Sequence, residues 1–368
     1  MKKNKIICVV GTRPEAIKMA PIILGLKSSP FFEVIVVATA QHRELLDGVF
    51  RDFAILADID LNLMRPNQDL VELNAHLLLE LSKVFESVRP DAVLAQGDTT
   101  TVFAASLVCF YKKIPFGHVE AGLRTGNFLS PFPEEMNRVF TSKISKWHFA
   151  PTQSACNNLI SEGVLAQDIF IVGNSVIDSL LIKSRNKIEL DSINLDPNKK
   201  LILVTVHRRE NFGEPLVSIC NAINEIVGSN DNVQVLISVH PNPNTKNTIQ
   251  TYCSNSQRII LSDPLEYSQF VGVMNRAHII LSDSGGIQEE APALGKPLLV
   301  LRKETERPES LKSGTVKLIG TEKNAIVTEV SKLLNDQDYY LSLAKKSYPY
   351  GDGNTSKAIV DILINYFQ

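Results

Sequence analysis

Three short acid-bearing stretches lie close together in the chain: Gln96-Gly97-Asp98-Thr99-Thr100, His118-Val119-Glu120-Ala121-Gly122-Leu123-Arg124 and Pro133-Glu134-Glu135-Met136-Asn137-Arg138. Carboxylates beside arginine and histidine suit proton transfer, because burial and neighbouring charge can bring their pKa toward the working pH. Asp98, Glu120 and Glu134 are the candidates. Each also has a plain structural role open to it. Asp98 can cap the helix that follows, Glu134 can complement the first helical turn after Pro133, and Glu120 can pair with Arg124. Two of the three follow apolar runs that read as buried strands, and the convergence of all three at strand ends favours chemistry.

Two other motifs read as seats for an anion. Gly11-Thr12-Arg13-Pro14-Glu15-Ala16-Ile17-Lys18 joins a strand to a helix. Pro14 suits the first helical position, and a helix start flanked by Arg13 and Lys18 attracts a diphosphate. The spacing is not that of a triphosphate loop, and by itself the motif reads as an ordinary turn with two solvated cations. In the second, residues 279–282 run into Asp283-Ser284-Gly285-Gly286 and then Ile287-Gln288-Glu289-Glu290. Paired glycines opening a helix let backbone N–H groups and the Ser284 hydroxyl reach phosphate oxygens. Glu289 or Glu290, about one turn further on, is placed to accept from ribose hydroxyls. Helix capping explains the acids but does not need two glycines.

Histidines complete the inventory. His207, in Thr205-Val206-His207-Arg208-Arg209-Glu210-Asn211, and His240, before Pro241, each follow an expected strand, and His42 in Gln41-His42-Arg43-Glu44 is a weaker case. The seven histidines show no metal-ligand spacing. No Gly-x-Gly-x-x-Gly follows a strand, no Tyr-x-x-x-Lys pair accompanies one, and no Gly-x-Ser-x-Gly elbow is present, so neither nicotinamide chemistry nor acyl transfer is indicated. What remains fits a nucleotide-sugar enzyme without cofactor or metal.

The elements that must position these residues alternate as βαβ units with a parallel sheet. Strands are expected at 6–10, 34–38, 92–95, 115–119, 148–150 and 169–172, with helices at 15–27, 70–88, 101–111 and 135–144. A polar stretch at 183–200 interrupts the alternation, which restarts with strands at 201–206, 233–239, 259–261, 278–282 and 297–301. The expected fold class is α/β, with two Rossmann-like doubly wound domains facing each other across a cleft. Their expected spans are 1–172 and 173–354, the second binding UDP. By analogy, the amphipathic end, 355–368, packs back on the first.

With 368 residues, 44% hydrophobic and 21% charged, the chain has enough apolar material for two cores. A net charge of -2 offers no field for nucleic acid or an anionic membrane. The five cysteines are scattered, which points to reduced core thiols in the cytoplasm. The run at 6–10 is too short for a signal peptide and reads as the first strand, and no apolar stretch is long enough to span a bilayer.

At this point Gly11 to Pro21, Gln96-Gly97-Asp98-Thr99, His118 to Thr125, Pro133-Glu134-Glu135, His207 to Asn211, Ser282 to Gly286 and Glu306-Arg307-Pro308-Glu309 together resemble the non-hydrolysing UDP-N-acetylglucosamine 2-epimerases, in order and over nearly the whole chain. The resemblance implies a glycosyltransferase-B-like fold, a cytoplasmic homodimer and no cofactor. It also implies reversible conversion of UDP-N-acetylglucosamine to UDP-N-acetylmannosamine through eliminated UDP and bound 2-acetamidoglucal, serving surface polysaccharide synthesis. Carried over by motif, Asp98, Glu120 and Glu134 form the acid/base group with His207 assisting, and Arg13, Lys18, Ser284, Gly285, Gly286 and Glu290 bind UDP. Some members bind a second UDP-N-acetylglucosamine as activator. Gln41, Arg43, Arg208 and His240 are the candidates here, with Glu44 departing from the Gln of regulated members. An epimerase of another UDP-2-acetamido sugar, a hydrolysing epimerase, a retaining UDP-sugar glycosyltransferase and a non-catalytic sensor remain alternatives.

Overall fold

The computed structural model describes residues 3–39, 43–63, 68–185, 188–190, 193–254 and 256–368, with only the backbone of 43–45. The chain divides into two compact units: residues 1–181 with 350–368, and residues 182–349.

The first unit is built on β1 (Asn4–Val10), β2 (Phe32–Ala38), β3 (Ile59–Asp60), β4 (Ala92–Gln96), β5 (Phe116–Val119), β6 (Trp147–Ala150) and β7 (Ile169–Ile171). Its helices are α1 (Arg13–Ser28), α2 (Arg43–Asp52), α3 (Leu70–Val88), α4 (Thr100–Lys112), α5 (Glu134–Ile144), α6 (Gln153–Ser161) and α7 (Ser175–Ser184). Every pairing is parallel, in the order β3-β2-β1-β4-β5-β6-β7. Ile6 to Val10 and Ala92 to Ala95 are buried along their length, as expected of strands covered by helices on both faces. One face packs Leu73, Leu77, Leu81 and Phe85 of α3 and Ala104, Ala105 and Val108 of α4 against Ile7, Val9, Val93 and Ala95.

The second unit repeats the scheme with β8 (Lys200–Thr205), β9 (Val233–Ser238), β10 (Ile259–Ser262), β11 (Ile279–Ser282), β12 (Leu298–Val300) and β13 (Val316–Leu318), ordered β10-β9-β8-β11-β12-β13. Around it lie α8 (Glu214–Ser229), α9 (Pro243–Cys253), α10 (Tyr267–Arg276), α11 (Gly285–Leu294), α12 (Pro308–Lys312), α13 (Lys323–Asn335) and α14 (Gln337–Leu343). The chain then returns to the first unit as α15 (Thr355–Phe367). Asp178 of α7 holds its start, accepting from Ser356 N at 2.8 Å and Ser356 Oγ at 2.6 Å. Tyr366 packs edge-on to Trp147 and Phe367 edge-on to Phe32.

In both sheets the strand order reverses beside the first strand, between β1 and β4 and between β8 and β11. In open α/β sheets ligands bind outside the carboxyl ends of the strands at such a switch point. Gly11 and Gln96-Gly97-Asp98 leave the first pair of strands, and Val206-His207 and Asp283-Ser284 leave the second. Strands β3 and β13, two and three residues long, lie outside the expected set. No helix among the described residues is long and apolar enough to cross a membrane.

Candidate functional site

In the first unit the carboxylates gather at the ends of β4 and β5 and the start of α5. Glu120 sits just past β5 with φ +65°, a left-handed conformation that a non-glycine residue rarely adopts. Its carboxylate accepts from Lys18 Nζ at 2.7 and 2.8 Å, from Asn174 Nδ2 at 2.8 Å, and from Gln96 Nε2. Four segments, the starts of α1 and α7 and the ends of β4 and β5, thus meet on one buried acid.

Asp98 stands one turn of chain beyond β4 and is paired with Arg138 of α5, Nη2 to Oδ2 at 2.9 Å. Asn137 Nδ2 donates to the Asp98 carbonyl at 2.9 Å, and His118 Nε2 donates to Gly97 O at 2.7 Å. The His118 ring is wholly buried, which pushes its pKa down to about 3, so it serves here as a neutral donor. Burial raises Asp98 to about 6; Arg138 opposes this, and the charges of Glu120 and Glu134 reinforce it. Glu134 therefore shares the electrostatic surroundings of the other two acids. Its neighbour Glu135, buried, instead binds the Thr125 and Gly126 amides at 2.9 Å and pins the preceding loop.

The start of α1 differs from a plain anion seat. Thr12 is the N-cap, Pro14 is the second residue of the helix, and Glu15 completes a capping box. Glu15 Oε2 takes the Gly11 and Thr12 amides at 2.6 and 2.9 Å, and Oε1 takes the Thr99 hydroxyl at 2.5 Å. The chain's own carboxylate thus uses amides that an external anion would need. Burial raises Glu15 to about 7 against these three hydrogen bonds. Arg13, half-buried, opens the helix, while Lys18 faces Glu120.

In the second unit the N-terminus of α11 has the opposite character. Ser284 is the N-cap but makes no side-chain capping bond, and no acid occupies the first turn. A Cβ built on Gly285 would lie 3.5 Å from Arg208 Nη2 and 3.7 Å from Arg307 Nη2, with Glu306 Oε1 at 3.4 Å. Cations thus flank amides with a dipole behind them, the arrangement that seats phosphate. Glu306 joins Arg208 at 2.7 Å and Arg302 at 2.6 Å. Burial would raise its pKa, but these arginines and Arg307 hold it at about 2. Deeper in α11, Glu290 Oε1 accepts from Tyr267 OH at 2.9 Å, and Glu289 pairs with Arg307 at 2.6 Å. Beside this loop, His207 stacks on exposed His240 with ring centroids 5.7 Å apart.

The structure therefore brings Lys18, Asp98, Glu120 and Glu134 together in the first unit and His207, Arg208, His240, Ser284, Gly285 and Gly286 into one neighbourhood of the second, with Glu290 further along α11. Gln41 lies outside the described residues, as does the side chain of Arg43. Glu120 pairs with Lys18, and Arg124 pairs with Glu162 at 2.7 Å; Asp98 is not the helix cap, since Thr99 holds that position. Sequence reasoning missed Gln96, Asn174, Arg138, Tyr267 and Arg307. Gln96, Arg138 and Arg307 stood inside the motifs already singled out, whereas Asn174 and Tyr267 carried no local signal.

Two Rossmann-ordered parallel sheets, each with its candidate residues at a switch point, match the glycosyltransferase-B-like fold of nucleotide-sugar enzymes. A family model described as UDP-N-acetylglucosamine 2-epimerase matches residues 25–364. The Escherichia coli K12 UDP-N-acetylglucosamine 2-epimerase is 48% identical over 370 residues, covering 98% of each chain. The Bacillus subtilis 168 enzyme of the same name is 48% identical over 367 residues, 100% of this chain and 97% of its own. Among solved structures, UDP-GlcNAc 2-epimerase from Neisseria meningitidis bound to UDP-GlcNAc superposes with a TM-score of 0.90 at 49% identity, covering 98% of this chain and 100% of that one. The chain belongs to the UDP-N-acetylglucosamine 2-epimerase family.

Proposed function

We propose that this protein interconverts UDP-N-acetylglucosamine and UDP-N-acetylmannosamine by eliminating and re-adding UDP. The observation that carries the reading is the carboxylate group of the first unit, where Asp98 is raised to about 6 beside Glu120 and Glu134. The C2 proton of the sugar is a weak acid, so its removal needs a base tuned near neutrality and a leaving group that departs with its electrons. One carboxylate takes the C2 proton as the C1–O bond breaks, giving UDP and 2-acetamidoglucal. A protonated acid then returns a proton to the other face of C2 as the diphosphate oxygen re-forms the bond at C1. Ser284, Gly285 and Gly286, with Arg208 and Arg307, hold the diphosphate and stabilise its developing charge. Glu290, held by Tyr267, meets the ribose. His207 assists the departing diphosphate or the sugar, and Arg13 adds positive charge to the same task. Lys18 serves by holding Glu120.

We further propose that the protein acts in the cytoplasm as a homodimer supplying surface polysaccharide synthesis. The free, buried cysteines support the compartment. Val71, Leu79, Phe110, Tyr111 and Phe140, half or more exposed on adjacent helices α3, α4 and α5, support self-association.

The test is incubation of purified protein with UDP-N-acetylglucosamine in deuterated water, without nicotinamide, followed by NMR. UDP-N-acetylmannosamine with deuterium at C2 is the expected product. Release of free N-acetylmannosamine would indicate a hydrolysing enzyme, and UDP appearing only with an added acceptor would indicate a glycosyltransferase.

A further inference from the structure

We infer that Asp283 is the positioning residue for His207, its buried carboxylate deciding which imidazole nitrogen carries the proton and tying that ring to the loop that opens α11. The carboxylate has no exposed surface, yet it is surrounded by N–H groups. His207 N lies 3.1 and 3.0 Å from its two oxygens, Arg208 N donates at 2.9 Å, and Asn211 Nδ2 donates at 2.9 Å. Asn211 is itself fixed, since Nδ2 also donates to Leu301 O at 3.1 Å. Against this acceptor stands His207 Nδ1, 3.2 Å from Oδ1.

An imidazole nitrogen facing a carboxylate is best satisfied as N–H, and the tautomer of a histidine is set by the bond its other nitrogen makes. Nδ1 therefore carries the proton in the neutral ring, and Nε2 keeps the lone pair with which a base acts. Three further features fit this placement. His240 and Arg208 are the other charged or titratable groups facing the ring, and both disfavour its cationic form, whereas Asp283 favours it. Burial is the larger influence and lowers the His207 pKa, so the ring is neutral near pH 7. Asp283 also directly precedes Ser284, so one carboxylate fixes both the imidazole and the start of the phosphate-seating helix.

The inference rests on the reading that His207 serves the reaction, and the two can fail separately. Nitrogen-15 NMR of the histidine rings in the full chain, with the His207→Gln variant to assign the signal, should find neutral His207 protonated at Nδ1. Protonation at Nε2 would overturn the inference. In Asp283→Asn an NH2 donor can replace an acceptor oxygen. The His207 proton should then move to Nε2, its titration should shift to lower pH, and kcat should fall about tenfold or more with a smaller change in KM. An unchanged tautomer and unchanged pH profile in that variant would also overturn it. Wild-type turnover by His207→Gln would instead sink the catalytic reading of His207 and leave the tautomer result standing.

Discussion

Asp98 and Glu15 are two raised carboxylates with different duties, and each gives a measurable outcome. Asp98→Asn removes the proposed proton acceptor while keeping shape, so turnover should fall by about 10²- to 10⁴-fold. UDP binding by calorimetry should stay close to wild type, and the wild-type rate should rise as pH increases through about 6, where Asp98 ionises. Glu15 is raised from 4.5 to about 7 in the folded chain. Between those values the native state keeps a proton that the unfolded state has released, so stability falls as pH rises through the window. The effect is about 3 kcal/mol. Asp98 acts in the same sense, so the decisive comparison is wild type against Glu15→Gln: urea unfolding at pH 5 and pH 7 should show a smaller loss in the variant. Asp98 and Glu120 were legible in the sequence because each follows an apolar run that can only be a buried strand. Gln96, Asn174 and Asp283 were not, because an amide or acid after a strand shows no local sign of the groups it will meet. Lys18 reaches Glu120 across 102 positions, a distance over which no spacing rule operates.

At the scale of elements, the two helix starts make contrasting demands on their glycines. A Cβ on Gly11 would stand 2.6 Å from Thr101 Oγ1, 2.9 Å from Thr39 Oγ1 and 3.1 Å from Glu15 Oε2. Gly11→Ala should therefore lower stability by about 1–3 kcal/mol, seen as an earlier urea midpoint. Gly285→Ala meets nothing closer than 3.4 Å, so its unfolding should stay near wild type while UDP affinity falls, because the methyl group stands where phosphate would approach. The alternation of strands and helices was readable because parallel strands buried on both faces are continuous apolar runs. The paired glycines at the start of α11 were readable as a candidate anion seat, whereas the closure of α1 by Glu15 was not: a capping acid and an acid awaiting a ligand look the same in sequence.

For the whole molecule, the exposed apolar surface of α3, α4 and α5 makes oligomeric state a testable property. Replacing Phe110 and Phe140 together by Glu should convert a dimer to a monomer in sedimentation velocity; an unchanged sedimentation coefficient would remove this face as the interface. The docking of α15 on the first unit has a consequence for biosynthesis. The first unit is assembled from residues 1–181 and 350–368, so the part of it that carries β1 to β7 waits for α15 until residues 182–349 have been made. A message ending before codon 355 would yield a second unit of full length beside a first unit without α15, and Trp147, Phe32 and the Asp178 carboxylate would face water. A break of the chain within residues 182–349 would therefore sever α15 from the acid-bearing half on which it packs.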